Sequence, residues 1–81
     1  MHLEILSPEN KIFEGEVYSV IFPGSNGKFQ ILNNHAPLIS FLNKGEIIYD
    51  KNNKTEKLLI SGGVVEIIKN KVSALIEVIP N

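Results

Sequence analysis

Residues 64–79 read VVEIIKNKVSALIEVI, two β-branched apolar runs, 64–68 and 72–79, on either side of Lys69-Asn70-Lys71. Valine and isoleucine pack well on a pleated surface and lose rotamer freedom in a helix, so both runs predict strands. Asn70 suits the positive φ of a tight turn, and the two runs therefore close as a hairpin. Side chains alternate between faces along a strand. No register turns all of Val64-Val65-Glu66-Ile67-Ile68 or Leu75-Ile76-Glu77-Val78-Ile79 toward one core.

The same vocabulary extends outward over the chain. Isoleucine and valine supply 18 of the 35 hydrophobic residues in the 81-residue sequence, whereas alanine occurs only at Ala36 and Ala74. Nine Asn, six Gly and four Pro punctuate the strands at the rhythm of an antiparallel sandwich or barrel. Upstream of the hairpin, Ser61-Gly62-Gly63 marks a close backbone approach or a bulge between strands at 57–60 and 64–68. Strands 46–50 and 57–60 flank a solvated tip at 51–56. Pro37 pushes Ala36 toward extended geometry ahead of a strand at 38–42. Asn33-Asn34 ends a short strand at 28–32, and Pro23-Gly24-Ser25-Asn26-Gly27 is the strongest breaker in the chain. Residues 11–22 are expected to form two strands joined by a bend or bulge at Gly15, with 2–6 returning against them across Ser7-Pro8-Glu9-Asn10. No helical pattern of 10 or more residues occurs. The expectation is one all-β domain, 1–81, with Phe22 and Ile31 in its core.

Composition narrows function. Eight basic against nine acidic residues leave no excess of positive charge to neutralise phosphates, which argues against nucleic acid as a partner. The absence of cysteine removes disulfides, thiolate metal sites and cysteine nucleophiles. No apolar stretch approaches the roughly 20 residues of a transmembrane helix, and residues 1–4 lack the charge and apolar run of a signal peptide. This pattern predicts a soluble chain that stays in the compartment where it is made.

The inventory for catalysis is two His, one Asp and eight scattered Glu. His35, in Asn-Asn-His-Ala-Pro, reads as a turn residue bonding locally or packing at an interface rather than as a general base. No ligands stand at metal-site spacing. Gly24-Ser25-Asn26-Gly27-Lys28 has too few residues between its glycines for a phosphate loop and runs into Phe29 and a strand, and Ser61-Gly62-Gly63 lacks the spacing of a nucleophile elbow. No catalytic residue, cofactor or metal is expected. A sandwich buries one face of each sheet, so the surplus of outward apolar side chains points to contact with another protein.

Gly15-Glu16-Val17, Pro23-Gly24-Ser25-Asn26-Gly27, Ile31-Leu32, Asn34-His35-Ala36-Pro37-Leu38-Ile39, Leu42, Gly45 and Ile60-Ser61-Gly62-Gly63-Val64-Val65-Glu66 together resemble the epsilon subunit of the F-type ATP synthase. The likeness covers nearly the whole chain. It implies a flattened antiparallel β-sandwich of about ten strands, the family's N-terminal domain. It also implies a non-catalytic rotor subunit at the foot of the central stalk, coupling proton translocation to rotary ATP synthesis, peripheral on the cytoplasmic face of a bacterial inner membrane.

Its implied partners are the gamma subunit and the c-ring. The c-ring contacts carried over by the resemblance are Ser25, Asn26, Gly27, Lys28, Phe29, Asn33, Asn34 and His35, placed at one end of the sandwich. The gamma contacts are Pro37, Leu38 and Ile39, with Ile48 and Val65 as exposed strand residues. Relatives often carry a carboxylate in or after the glycine turn, where this chain has Asn26 and Lys28. They also continue into a two-helix domain that inhibits ATP hydrolysis and in some bacteria binds ATP. This sequence reaches Asn81 without that pattern, which implies no helical hairpin and no bound ATP. The readings set against this one are a small sandwich that binds carbohydrate or single-stranded nucleic acid and a carrier domain modified at Lys54 or Lys71. The chain has no Trp and no basic groove for the first two.

Overall fold

The computed structural model describes residues 1–79, in which every regular element is a strand: β1 (His2–Leu6), β2 (Lys11–Glu16), β3 (Ser19–Gly24), β4 (Gly27–Leu32), β5 (Leu38–Leu42), β6 (Gly45–Lys51), β7 (Lys54–Ile68) and β8 (Lys71–Val78). One layer runs β2-β1-β8-β7-β5 and the other β4-β3-β6-β7. β7 belongs to both. Its residues 54–60 pair with β6 and its residues 63–67 with β5.

Eight strands stand where the resemblance implied about ten. Residues 57–60 and 64–68, expected as separate strands, are parts of the 15-residue β7. The ladder shifts register between Ile60 and Gly62, a bulge that bends the strand from one layer into the other. At Gly63 a Cβ would lie 2.5 Å from the Leu75 carbonyl oxygen, so glycine is what lets β8 come this close. The sheet is also not wholly antiparallel. β1 runs parallel to β8, from His2 beside Lys71 to Leu6 beside Leu75.

Two turns differ from the expectation. Gly15 lies inside β2 opposite Leu3, and the break comes instead at residues 17–18. There the Asp50 carboxylate of β6 accepts the Tyr18 N–H at 2.8 Å and the Ser19 N–H at 2.9 Å, pairing donors that the bend takes out of the ladder. The tip at 51–56 is tighter than six residues. Asn52 and Asn53, with φ of 51° and 63°, make a two-residue turn, and Lys51 already pairs with Lys54. Lys69 and Asn70, with φ of 49° and 62°, close the last hairpin as its sequence predicts.

The core lies between the layers. Leu3, Ile5, Val72 and Ile76 from one face Val20, Phe22, Ile31 and Ile47 from the other, and all are buried. Val65 is buried with them, which corrects its reading as an exposed contact residue. The bulge sets the phase of the second half of β7, so Val65 and Ile67 point inward while Glu66 and Ile68 point out.

Candidate partner-binding surfaces

β4 pairs with β3 alone, leaving its other side free of any strand among the described residues. Ser25 and Asn26 turn the chain into it, and Gly27 takes the positive φ, 115°, that closes this turn. The Ser25 N–H donates to Phe41 at 3.0 Å and the Asn43 N–H donates to Pro23 at 2.8 Å, binding the turn to the end of β5. The Phe29 ring is half-buried, its centroid 5.7 Å from that of Phe22. Its side chain is therefore largely committed to the core, while Lys28 and Gln30 are exposed.

Asn33, Asn34 and His35 follow at the far end of the strand. The six residues of β4 span roughly 20 Å at the usual rise per residue, so the expected c-ring contacts do not share one end of the sandwich. They line one edge of it. His35 is exposed and its Nδ1–H donates to the Ala36 carbonyl at 2.7 Å, the local bond its turn setting suggests. Among the described residues no carboxylate or hydroxyl orients it as a base would require. The turn is fastened from elsewhere. The Asn33 side-chain oxygen accepts from the Met1 ammonium at 3.1 Å and from Asn70 at 2.8 Å, and the Asn34 N–H donates to the Asn70 side-chain oxygen at 2.7 Å.

The apolar candidates fall in three places. Pro37 and Ile39 are exposed at the start of β5, and Leu38 packs its half-buried side chain against the core. Ile48 is half-buried on the outside of the other layer, opposite Ile21, well apart from Ile39. Val65 is internal. What the sequence reading missed is Phe41, 70% exposed against 67% for Ile39, standing on the same outward face of β5. Val64 lies opposite Phe41 and Leu75 opposite Val64, so the apolar row crosses β5, β7 and β8. The alternation Leu38-Ile39-Ser40-Phe41-Leu42 already pairs Ile39 with Phe41 and holds the signal.

Charge collects on the neighbouring strands. On β1 and β2, the His2 ring lies 2.9 Å from Glu14 and 3.1 Å from Glu16, and Lys11 pairs with Glu14 and, at 3.8 Å, with Glu4. Hydrogen bonds to Glu14 and then Glu16 hold the His2 pKa above the usual imidazole value, and Lys11 followed by His2 holds Glu14 below the usual carboxylate value. These are surface pairs, across β1 and β2 except for Lys11–Glu14, which lies along β2. They close on one another within this face.

Comparison with known proteins agrees with this architecture. Residues 1–80 match the family model for the ATP synthase, Delta/Epsilon chain, beta-sandwich domain. The chain is 48% identical over 73 residues to the ATP synthase epsilon chain of Desulfitobacterium hafniense, covering 90% of this chain and 55% of that one. It is 44% identical over 75 residues to the ATP synthase epsilon chain of Endomicrobium trichonymphae, covering 93% and 54%. The chain thus spans about half the length of the curated relatives it matches. Among solved structures, a chain of the Euglena gracilis mitochondrial ATP synthase superposes with a TM-score of 0.86 at 21% identity, covering 96% of this chain and 51% of that one. A chain from the central stalk and c-ring structure of the Tetrahymena thermophila mitochondrial ATP synthase gives 0.78 at 15% identity, covering 94% and 62%. At those identities the structural likeness speaks for the fold, and the sequence matches speak for descent: the chain belongs to the ATP synthase delta/epsilon family, of which it carries the β-sandwich domain.

Proposed function

We propose that this sandwich serves as a non-catalytic part of the rotor of an F1Fo ATP synthase, joining the gamma subunit to the c-ring so that proton translocation drives rotary ATP synthesis. The observation that carries the reading is the meeting of two unlike surfaces at one connection. The polar β4 edge, with Ser25, Asn26, Gly27, Lys28 and Phe29, ends in Asn33, Asn34 and His35. Two residues later Pro37 leads into β5, whose outward side carries the apolar pair Ile39 and Phe41.

In this reading the polar edge lies on the polar loops of the c-ring, and Lys28 gives that contact a positive charge. The apolar face buries against the gamma subunit, where aromatic and aliphatic anchors supply most of the affinity. The assembly holds the chain peripherally on the cytoplasmic face of a bacterial inner membrane. The sandwich itself binds no ATP and contributes no catalytic group.

The test is capture of the chain by the gamma subunit and by the detergent-solubilised c-ring of its own organism. Phe41→Asp is expected to weaken gamma binding about tenfold or more, Lys28→Glu to change c-ring binding and its salt dependence, and Ile48→Asp to leave both unaltered. Failure of the folded chain to bind either partner would overturn the reading.

A further inference from the structure

The connection between those two surfaces is held by a residue that belongs to neither. Asn70, at the tip of the β7–β8 hairpin, is half-buried, and both polar atoms of its carboxamide are directed at the 33–34 turn. Its Nδ2 donates to the Asn33 Oδ1 at 2.8 Å, and its Oδ1 accepts the Asn34 N–H at 2.7 Å. Its backbone carbonyl accepts the His2 N–H at 3.1 Å, so the tip is anchored to β1 in turn. Asn33 Oδ1 takes a second bond from the Met1 ammonium at 3.1 Å, and that ammonium also donates to the Val17 carbonyl at 3.2 Å. Three segments remote in sequence thus meet around one carboxamide.

The arrangement has work to do, because Asn34 sits at a φ of 64°, a left-handed conformation that a residue with a side chain adopts at a cost. Bonds to both Asn33 and Asn34 hold the turn there. Asn52-Asn53 provides the contrast. The same dipeptide makes a hairpin tip at φ of 51° and 63°, yet neither side chain hydrogen-bonds within the described residues. One Asn-Asn is a free tip and the other is fixed in place by Asn70.

We infer that Asn70 is a positioning residue for partner binding: its carboxamide sets the 33–37 connection, and with it the angle between the polar edge and the apolar face, without touching either partner. The inference rests on the rotor reading for its partners and on the hydrogen bonds for its mechanism, so two measurements separate them. Asn70→Gly keeps access to a positive φ and removes only the carboxamide. In the free chain, well below its melting temperature, amide exchange at Asn34 is expected to accelerate about tenfold or more as its acceptor disappears. The affinity of the folded variant for the gamma subunit and c-ring together is expected to fall about tenfold, a change that lowered stability alone would not produce under folding conditions. Asn53→Gly, the same substitution at the free tip, is expected to change neither. Wild-type exchange at Asn34 in Asn70→Gly would overturn the inference, as would wild-type affinity. If the unaltered chain bound neither partner, the rotor reading and the binding half of the inference would fall together, and the exchange measurement would still decide whether Asn70 sets the turn.

Discussion

The outward face of the β2-β1-β8-β7-β5 layer has two halves of opposite chemistry. Over β1 and β2, His2, Glu4, Lys11, Glu14 and Glu16 pair with one another, across the strands and, for Lys11–Glu14, along β2. Over β5, β7 and β8, Ile39, Phe41, Val64 and Leu75 stand outward beside Glu66, neighbours of one another with no further layer over them among the described residues. The charged half has already used its interactions within the fold, and exposed pairs of that kind contribute little to stability. The apolar half leaves its interaction unmade, at roughly 25 cal/mol for each Å² that a partner would cover. Dense charge on a surface is therefore no mark of a binding site by itself, and the proposed partner contact rests on the uncovered apolar row instead.

Val64 and Val65 break that comparison most severely, because adjacent residues on one strand point to opposite sides. Val65→Asp places an unpaired carboxylate in the core and should cost about 4 kcal/mol or more, comparable to the whole stability of a domain this small. Val64→Asp should still fold, and circular dichroism melts distinguish the two. A folded Val65→Asp would show that the phase of β7 has been misassigned.

Gly63→Ala comes next. The added Cβ meets the β8 backbone at Leu75 and the Ile76 side chain, so the apolar half should loosen at a cost of about 1–3 kcal/mol, read from urea midpoints. An unchanged midpoint would mean that β8 retreats freely.

Ile39→Asp and Phe41→Asp sharpen the contrast from the other side. As outward residues they should alter stability by no more than about 0.5 kcal/mol while removing the apolar surface. A larger loss in either would place that side chain in the fold's own packing.

The smallest effect belongs to the charged half. The raised His2 pKa gives a stabilising contribution that is full below about pH 6.5 and lost as pH rises through the folded value. The lowered Glu14 pKa gives one that is present above about pH 4.5 and lost as pH falls through its folded value. The pairs are therefore tightest between those limits, and Tm should drift slightly downward from about pH 6 to about pH 8 in the wild type, with the drift removed in His2→Gln. A drift of equal size in the variant would assign it to other groups.

Periodicity and turn chemistry made most of the fold legible. An apolar stretch after Pro37 marks β5, a β-branched run marks β8, Asn70 marks its hairpin, and the paired glycines 62–63 mark both a bulge and a close approach. The strand count was not legible, because a bulge and a chain reversal use the same residues and only the pairing partner tells them apart. The site was legible in pieces. Alternation already placed Ile39 beside Phe41, but the side of β7 to which Val65 turns depends on where the register shift at 60–62 falls, and the paired glycines mark a bulge without fixing which residue leaves the ladder. The bonds from Asn70 to Asn33 and Asn34 join residues more than thirty positions apart, and nothing in either turn announces the other.

The parallel pairing of β1 with β8 has a consequence for how the chain acquires its shape. The first strand has β2 as a near neighbour in sequence, but its other edge waits for a strand that starts at Lys71, so that ladder closes a loop of nearly the whole chain. Pairings of such long range belong to slow-folding topologies, in the millisecond-to-second class. On a ribosome adding about 5–20 residues per second, β1 emerges several seconds before its partner exists. During that interval Leu3 and Ile5, both fully buried in the finished sandwich, have β2 as their one nearby cover. The nascent β1–β2 hairpin is therefore the segment most exposed to chaperones and to misassociation, and docking of β8 is the event that ends that exposure.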